Sequence, residues 1–121
     1  MTTERTLTDM TAEVRKVNIQ KGWREGGNTF GDYIALLHSE LSEALEAYRD
    51  HRLEDATTTT VHATPPHGRP KPQGVGSEFA DVLIRLLDTC DIYGIDLQAE
   101  YERKIAYNRT RPYQHGGRTL A

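Results

Sequence analysis

Apolar residues first recur at Leu7, Met10, Val14 and Val17, and these spacings of three and four predict an amphipathic helix. It should end near the glycine-bearing turn "KGWREGG". A second helix is predicted from about Asp32 to about Arg52, where Ile34, Leu37, Leu41, Leu45 and Tyr48 continue an apolar stripe. The pattern then dissolves over residues 54–76, which hold four of the five prolines and a run of threonines. A loop is expected there, with a short β-ribbon at the threonines. Ser77 can cap a third helix reaching about Tyr93, and Asp96 a fourth that carries Leu97, Tyr101 and Ile105. The fourth must stop before Pro112, which biases Arg111 away from helical angles. The tail from about residue 112 is expected to be flexible.

The third helix has apolar residues around most of its axis: Phe79, Val82, Leu83, Ile84, Leu86, Leu87, Cys90 and Ile92. Only Glu78, Asp81, Arg85 and Asp88 form a polar strip, as on a helix covered from nearly all sides. Three short neighbours cannot cover so wide a perimeter, and Ile84 and Leu87 lie opposite Val82 and Thr89, so a symmetric partner is expected there. The fold class is therefore all-α: one domain over residues 1–121, a bundle of four to five helices completed by homo-oligomerisation as a dimer or a tetramer.

At 121 residues, 36% hydrophobic and 27% charged, the chain suits one soluble domain. No apolar run approaches the ~20 residues of a membrane span, so no membrane partner is expected. The N-terminus has no signal-peptide pattern, and a cytoplasmic location follows. Cys90 is the only cysteine, which excludes an internal disulfide and a cysteine-based zinc cage. A net charge of −3 argues against stable nucleic-acid binding.

Glu40 is the residue out of place. At roughly 100° per residue, Tyr33, Leu36, Leu37, Ala44, Ala47 and Tyr48 fall within about 80° of it, so a carboxylate points into an apolar face. Glu43 stands one turn on, and the third helix repeats the spacing with Glu78 and Asp81. Glu46, Asp50 and Asp91, by contrast, are expected on solvated faces. Two such pairs on packed helices would gather four carboxylates, which repel unless protonated or neutralised. The neutralising charge is either a base such as Arg85 or a hard cation, magnesium before calcium, of the kind that also binds phosphates. Lys104 and Asn108 share a face with Arg111 one turn on, an arrangement for gripping phosphate oxygens or simply a solvated helix end. Lys71 is a similar candidate. His62 and His67 lack further zinc-ligand types, and Trp23 and the tyrosines are candidates for stacking on a base.

The motifs "SELSEALEAYRD", "SEFADVLIRLLDTCDIYGIDL" and "KIAYN" together resemble the MazG-like, all-α nucleoside triphosphate pyrophosphohydrolases. The signature of that family is Glu-x-x-Glu, a gap, Glu-x-x-Asp, then a lysine and an asparagine on a later helix. The resemblance implies that Glu40, Glu43, Glu78 and Asp81 hold magnesium, with manganese as a substitute, and that Lys104 and Asn108 contact substrate phosphates. It implies hydrolysis of a nucleoside or deoxynucleoside triphosphate to the monophosphate and pyrophosphate. Glu40 and Glu43 are then the catalytic candidates, Glu40 favoured as the residue that positions water. Ser39 stands where many members carry another glutamate, and the 34 residues between Glu43 and Glu78 exceed the usual gap. The alternatives are a non-catalytic helical adaptor with its acids ion-paired, or the same fold acting on a nucleoside diphosphate or phosphoribosyl-nucleotide.

Overall fold

Four helices make up most of the described chain, which is residues 4–51, 60–64 and 69–113 of the computed structural model. α1 spans Leu7–Gln20, α2 Phe30–His51, α3 Val75–Ile92 and α4 Leu97–Thr110. Between α2 and α3, β1 (Thr60–Thr64) pairs antiparallel with β2 (Arg69–Gln73), Thr60 opposite Gln73 and Thr64 opposite Arg69. The helical expectation holds, and a ribbon is present whose first strand begins at Thr60, the last of the threonine run. His67, the rest of the long connection (52–59 and 65–68) and the tail beyond residue 113 lie outside the described residues.

The caps fix where each helix starts and stops. At α1, Thr6 and Asp9 exchange hydrogen bonds between side chain and backbone (3.0 Å each). Thr29 and Asp32 do the same at α2 (2.9 and 3.1 Å), so the helix begins slightly before its predicted start. Asp96 accepts from the Ala99 amide at α4, and Arg111 leaves the helix with extended angles, as Pro112 requires. α3 departs from expectation: it starts at Val75 after Gly74, with no side-chain cap, and Ser77 lies inside it. The glycine turn supplies the backbone freedom that Gly74 (φ 114°) uses.

Gly22 (φ 72°) ends α1 in a tight reversal: its amide donates to the Ile19 carbonyl and the Trp23 amide to the Asn18 carbonyl. This brings Trp23 back beside Asn18. The same reversal follows α3, where Gly94 and Ile95 amides bond to Asp91 and Cys90.

α2 and α1 both pack on α3, while α4 touches α1, with Gln98 accepting from the Thr8 amide at 3.0 Å. The core is small: Val14, Tyr33, Ala44, Val75, Leu87 and Cys90, with Leu87 only 1% exposed. Leu87 thus belongs to the chain's own interior, and correcting the expectation, the apolar residues of α3 left uncovered are Phe79, Leu83 and Ile84. On α1, Val17 stands exposed and Asn18 takes the buried position. Of the stripe expected on α2, Ile34, Leu41, Leu45 and Tyr48 are exposed, and the side facing α3 is built from Tyr33, Leu36, Leu37, Glu40, Ala44 and Ala47.

Charge holds the lower half of α3. Arg24, from the α1–α2 turn, donates to Asp88 (2.7 and 2.9 Å) and Asp91 (2.9 Å), and Arg15 of α1 also donates to Asp91. Asp91, expected on a solvated face, is instead clamped by two arginines, and Arg15 beside it holds its carboxyl below the usual range. Arg24→Ala should lower the unfolding free energy by about 2–3 kcal/mol, because Asp88 stays buried without its partner. Arg49→Ala removes only an exposed pair with Glu46 and should cost under about 0.5 kcal/mol. Urea denaturation of the two variants compares them, and equal midpoints would contradict the assignment.

Candidate functional site

The packing of α2 on α3 sets Glu40 and Glu43 against Glu78 and Asp81. One carboxylate oxygen from each of Glu40, Glu78 and Asp81 lies within 4.8 Å of the others, a spacing at which a single cation could be shared. Glu43 stands at the edge of this trio, in a hydrogen bond with Glu40 and within electrostatic reach of Asp81. Glu40 and Glu78 are half-buried and Asp81 is exposed.

The crowding leaves a mark on protonation. The hydrogen bond and charge of Glu40 hold the Glu43 carboxyl above its ordinary value, and the Lys71 ammonium only partly opposes them. Burial raises Glu78, helped by the charges of Asp81, Glu43 and Glu40. Arg85 is the base that answers: its Nε and Nη2 both reach Glu40 Oε1 at 3.1 Å. It crosses to α2 rather than pairing with Asp81 on its own helix. An oxygen-only donor set with more negative charge than one guanidinium offsets fits a hard divalent cation.

Besides an apolar cleft of about 560 Å³ that reaches Asp81, Asn18 and Trp23 from α1, two smaller clefts flank the carboxylates. The first, about 280 Å³, is lined by Asn18, Trp23, Asn28, Tyr33, Glu40, Asp81, Ile84, Arg85 and Asp88. Asn18 is 8% exposed, and its side-chain amide has no hydrogen-bond partner among the described residues. A buried amide left unpaired carries a desolvation cost that a ligand edge would relieve. Trp23 stands 66% exposed at the same wall. The second cleft, about 250 Å³, opens on the ribbon side between Glu43, Glu46, Ala47, Lys71, Gln73, Gly74 and Glu78.

The four predicted carboxylates are thus brought together, three closely and one at the rim. Lys104 and Asn108 are not: both are exposed on α4 and line neither cleft. Asn18 was missed by sequence reasoning, although a polar residue four positions after Val14 on an apolar stripe is a signal in itself. Arg24 offered less, a single arginine in a glycine turn.

The raised carboxyls set a pH dependence. An acid whose folded pKa exceeds its unfolded value is penalised once ionised, so stability falls as pH rises from the ordinary 4.5 through the folded values of Glu43 and Glu78. Metal-free protein should therefore lose thermal stability as pH rises above about 4.5. In the Glu43→Gln/Glu78→Gln variant that slope should flatten. Calorimetric melts across this range check the sign, and parallel curves for parent and variant would contradict it. Asp91 acts in the other direction: its contribution is present above 3.8 and lost as pH falls through its lowered value.

Comparison of the chain with protein-family models, with curated proteins and with solved structures finds no significant match, which leaves the site to be read from its own chemistry.

Proposed function

We propose that the protein is a magnesium-dependent nucleoside triphosphate pyrophosphohydrolase of the MazG-like kind. The observation that carries the reading is the juxtaposition of a cation-demanding carboxylate trio with a cleft that offers an unpaired buried amide and an aromatic face. The trio suits a magnesium–phosphate group, and the cleft suits a planar base with hydrogen-bonding edges. The resemblance of the motifs points the same way.

Glu40, Glu78 and Asp81 would hold the metal, whose chemistry when bound is to neutralise the phosphates and acidify a water. Glu43 stands at the rim of that trio and free of the metal, which makes it the general base of the first pair in place of Glu40, taken up by the metal and Arg85. It would take the proton of a water attacking the α-phosphorus. Arg85 keeps Glu40 aimed across the interface, and Asn18 and Trp23 fix the base. As the new oxygen–phosphorus bond forms, the bond to the β-phosphate oxygen breaks in line and pyrophosphate leaves with its electron pair.

A second reading, a helical adaptor, is favoured by the Arg85–Glu40 pair. Purified protein separates the two. Magnesium-dependent release of pyrophosphate from a nucleotide panel is expected, with Glu40→Gln, Glu43→Gln, Glu78→Gln and Asp81→Asn each reduced by about 100-fold or more and still helical by circular dichroism. Release from no nucleotide, or full turnover in all four variants, would reject the assignment.

Lys104 and Asn108 would meet the phosphates from a second copy of the chain. α4 stands apart from α2, and the uncovered Phe79, Ile84, Leu41 and Leu45, each 45–56% exposed, supply apolar surface for an obligate homodimer. Light scattering should give at least twice 13.7 kDa. When inactive Glu78→Gln and Lys104→Ala chains are refolded together, about one quarter of parental activity should return, one intact site in each mixed dimer. No recovery would place the two residues in the site of their own chain or outside it altogether.

A further inference from the structure

The two clefts differ in chemistry, and the difference gives the site a direction. Glu40 and Asp81 form the floor of the first, Glu43 and Glu78 the floor of the second, so one carboxylate ridge separates them. The pairs stand one helical turn apart, about 5 Å along each axis. The first cleft has Trp23, Tyr33 and the unpaired amide of Asn18. Its one cation, Arg85, is spent on Glu40. The second has no aromatic side chain, and it has Lys71, exposed on β2, with no ion-pair partner within 4.0 Å among the described residues.

We propose that Lys71, carried by the β1–β2 ribbon, binds the β- and γ-phosphates, so that a nucleoside triphosphate lies across the ridge with its base in the Asn18–Trp23 cleft and its departing pyrophosphate under the ribbon. This rests on the pyrophosphohydrolase reading and adds a substrate-binding residue to it. The reverse orientation would leave the base in a cleft without an aromatic face and Lys71 without an anion to bind. An ammonium on a flexible stem suits an oxyanion that arrives as part of a substrate and leaves as a product, since it gives charge without a fixed fork geometry. The α-phosphorus then falls over the ridge itself, beside Glu43, where the attacking water gives up its proton.

Trp23 is the only tryptophan, and it lines the base cleft and the apolar cleft beside it but not the ribbon cleft, so its fluorescence reports the base end of the site. The experiment titrates parent, Lys71→Gln and Lys71→Arg protein, each with magnesium, against inorganic pyrophosphate as a competitive inhibitor and against the four common nucleoside monophosphates by Trp23 quenching. Lys71→Gln should weaken pyrophosphate inhibition and raise the KM for the triphosphate by about tenfold each. Monophosphate quenching should be unchanged, and Lys71→Arg should recover most of the loss. Undiminished pyrophosphate inhibition in Lys71→Gln, or equal weakening of monophosphate and pyrophosphate, would overturn the orientation while leaving turnover by the parent intact. Failure of the underlying reading looks different: the unsubstituted protein itself would release no pyrophosphate.

Discussion

The repulsion among four carboxylates at the α2–α3 interface is the constraint around which the remainder is arranged. The same contact that forms most of the core, through Tyr33, Ala44 and Leu87, also forces Glu40 and Glu43 onto Glu78 and Asp81. The chain cannot relax one without loosening the other. The raised proton affinity of Glu43 and Glu78 and the reach of Arg85 to Glu40 are partial answers, and both leave net negative charge at the site. On the metal-binding reading proposed above, a bound cation would complete them, and core stability and site occupancy would then be linked through one interface.

Along α3 the polar strip divides into two halves with opposite outcomes. Asp88 meets Arg24, and Asp91 meets both Arg24 and Arg15, so carboxylates at that end are matched by guanidinium groups in good geometry. Glu78 and Asp81, two turns earlier, face other acids. Arginine was therefore within reach of this helix and is used where structure needs it. The imbalance at the other end is local, and it coincides with both clefts and with the unpaired amide of Asn18. A helix whose charges were only a solvated face would show no such contrast.

Periodicity was enough to find the four helices, since each carries its own 3.6-residue pattern and local caps. It also placed Glu40 toward the packed face, because a residue's azimuth on a helix depends only on spacing. What spacing cannot carry is where a turn sends the chain next. The reversal at Gly22 lays Trp23 on Asn18 and swings Arg24 onto Asp88, and no local pattern encodes contacts across 64 positions. The ribbon has the same property: its register sets Lys71 beside Glu43, although the two are far apart in sequence. Asp91 was misjudged for this reason, as its exposure was removed by two arginines from elsewhere in the chain.

α2 presents two apolar faces, and only one is used within the chain. Tyr33, Leu36, Leu37, Ala44 and Ala47 turn toward α3 with Glu40, whereas Ile34, Leu41, Leu45 and Tyr48 turn away. A helix serving one small bundle needs a single stripe, and a second stripe with the same spacing costs solubility unless something covers it. Phe79, Leu83 and Ile84 on α3 are exposed as well and pose the same demand. α4 poses it from the polar side, packing on α1 with Lys104 and Asn108 exposed. The homodimer proposed above would answer both: a second copy would bury the outer stripes and, by symmetry, bring each α4 toward the carboxylates of its neighbour. On the dimer proposed above, assembly and completion of the site would be one event, and the apolar side chains buried within one chain would be only half of the core that forms.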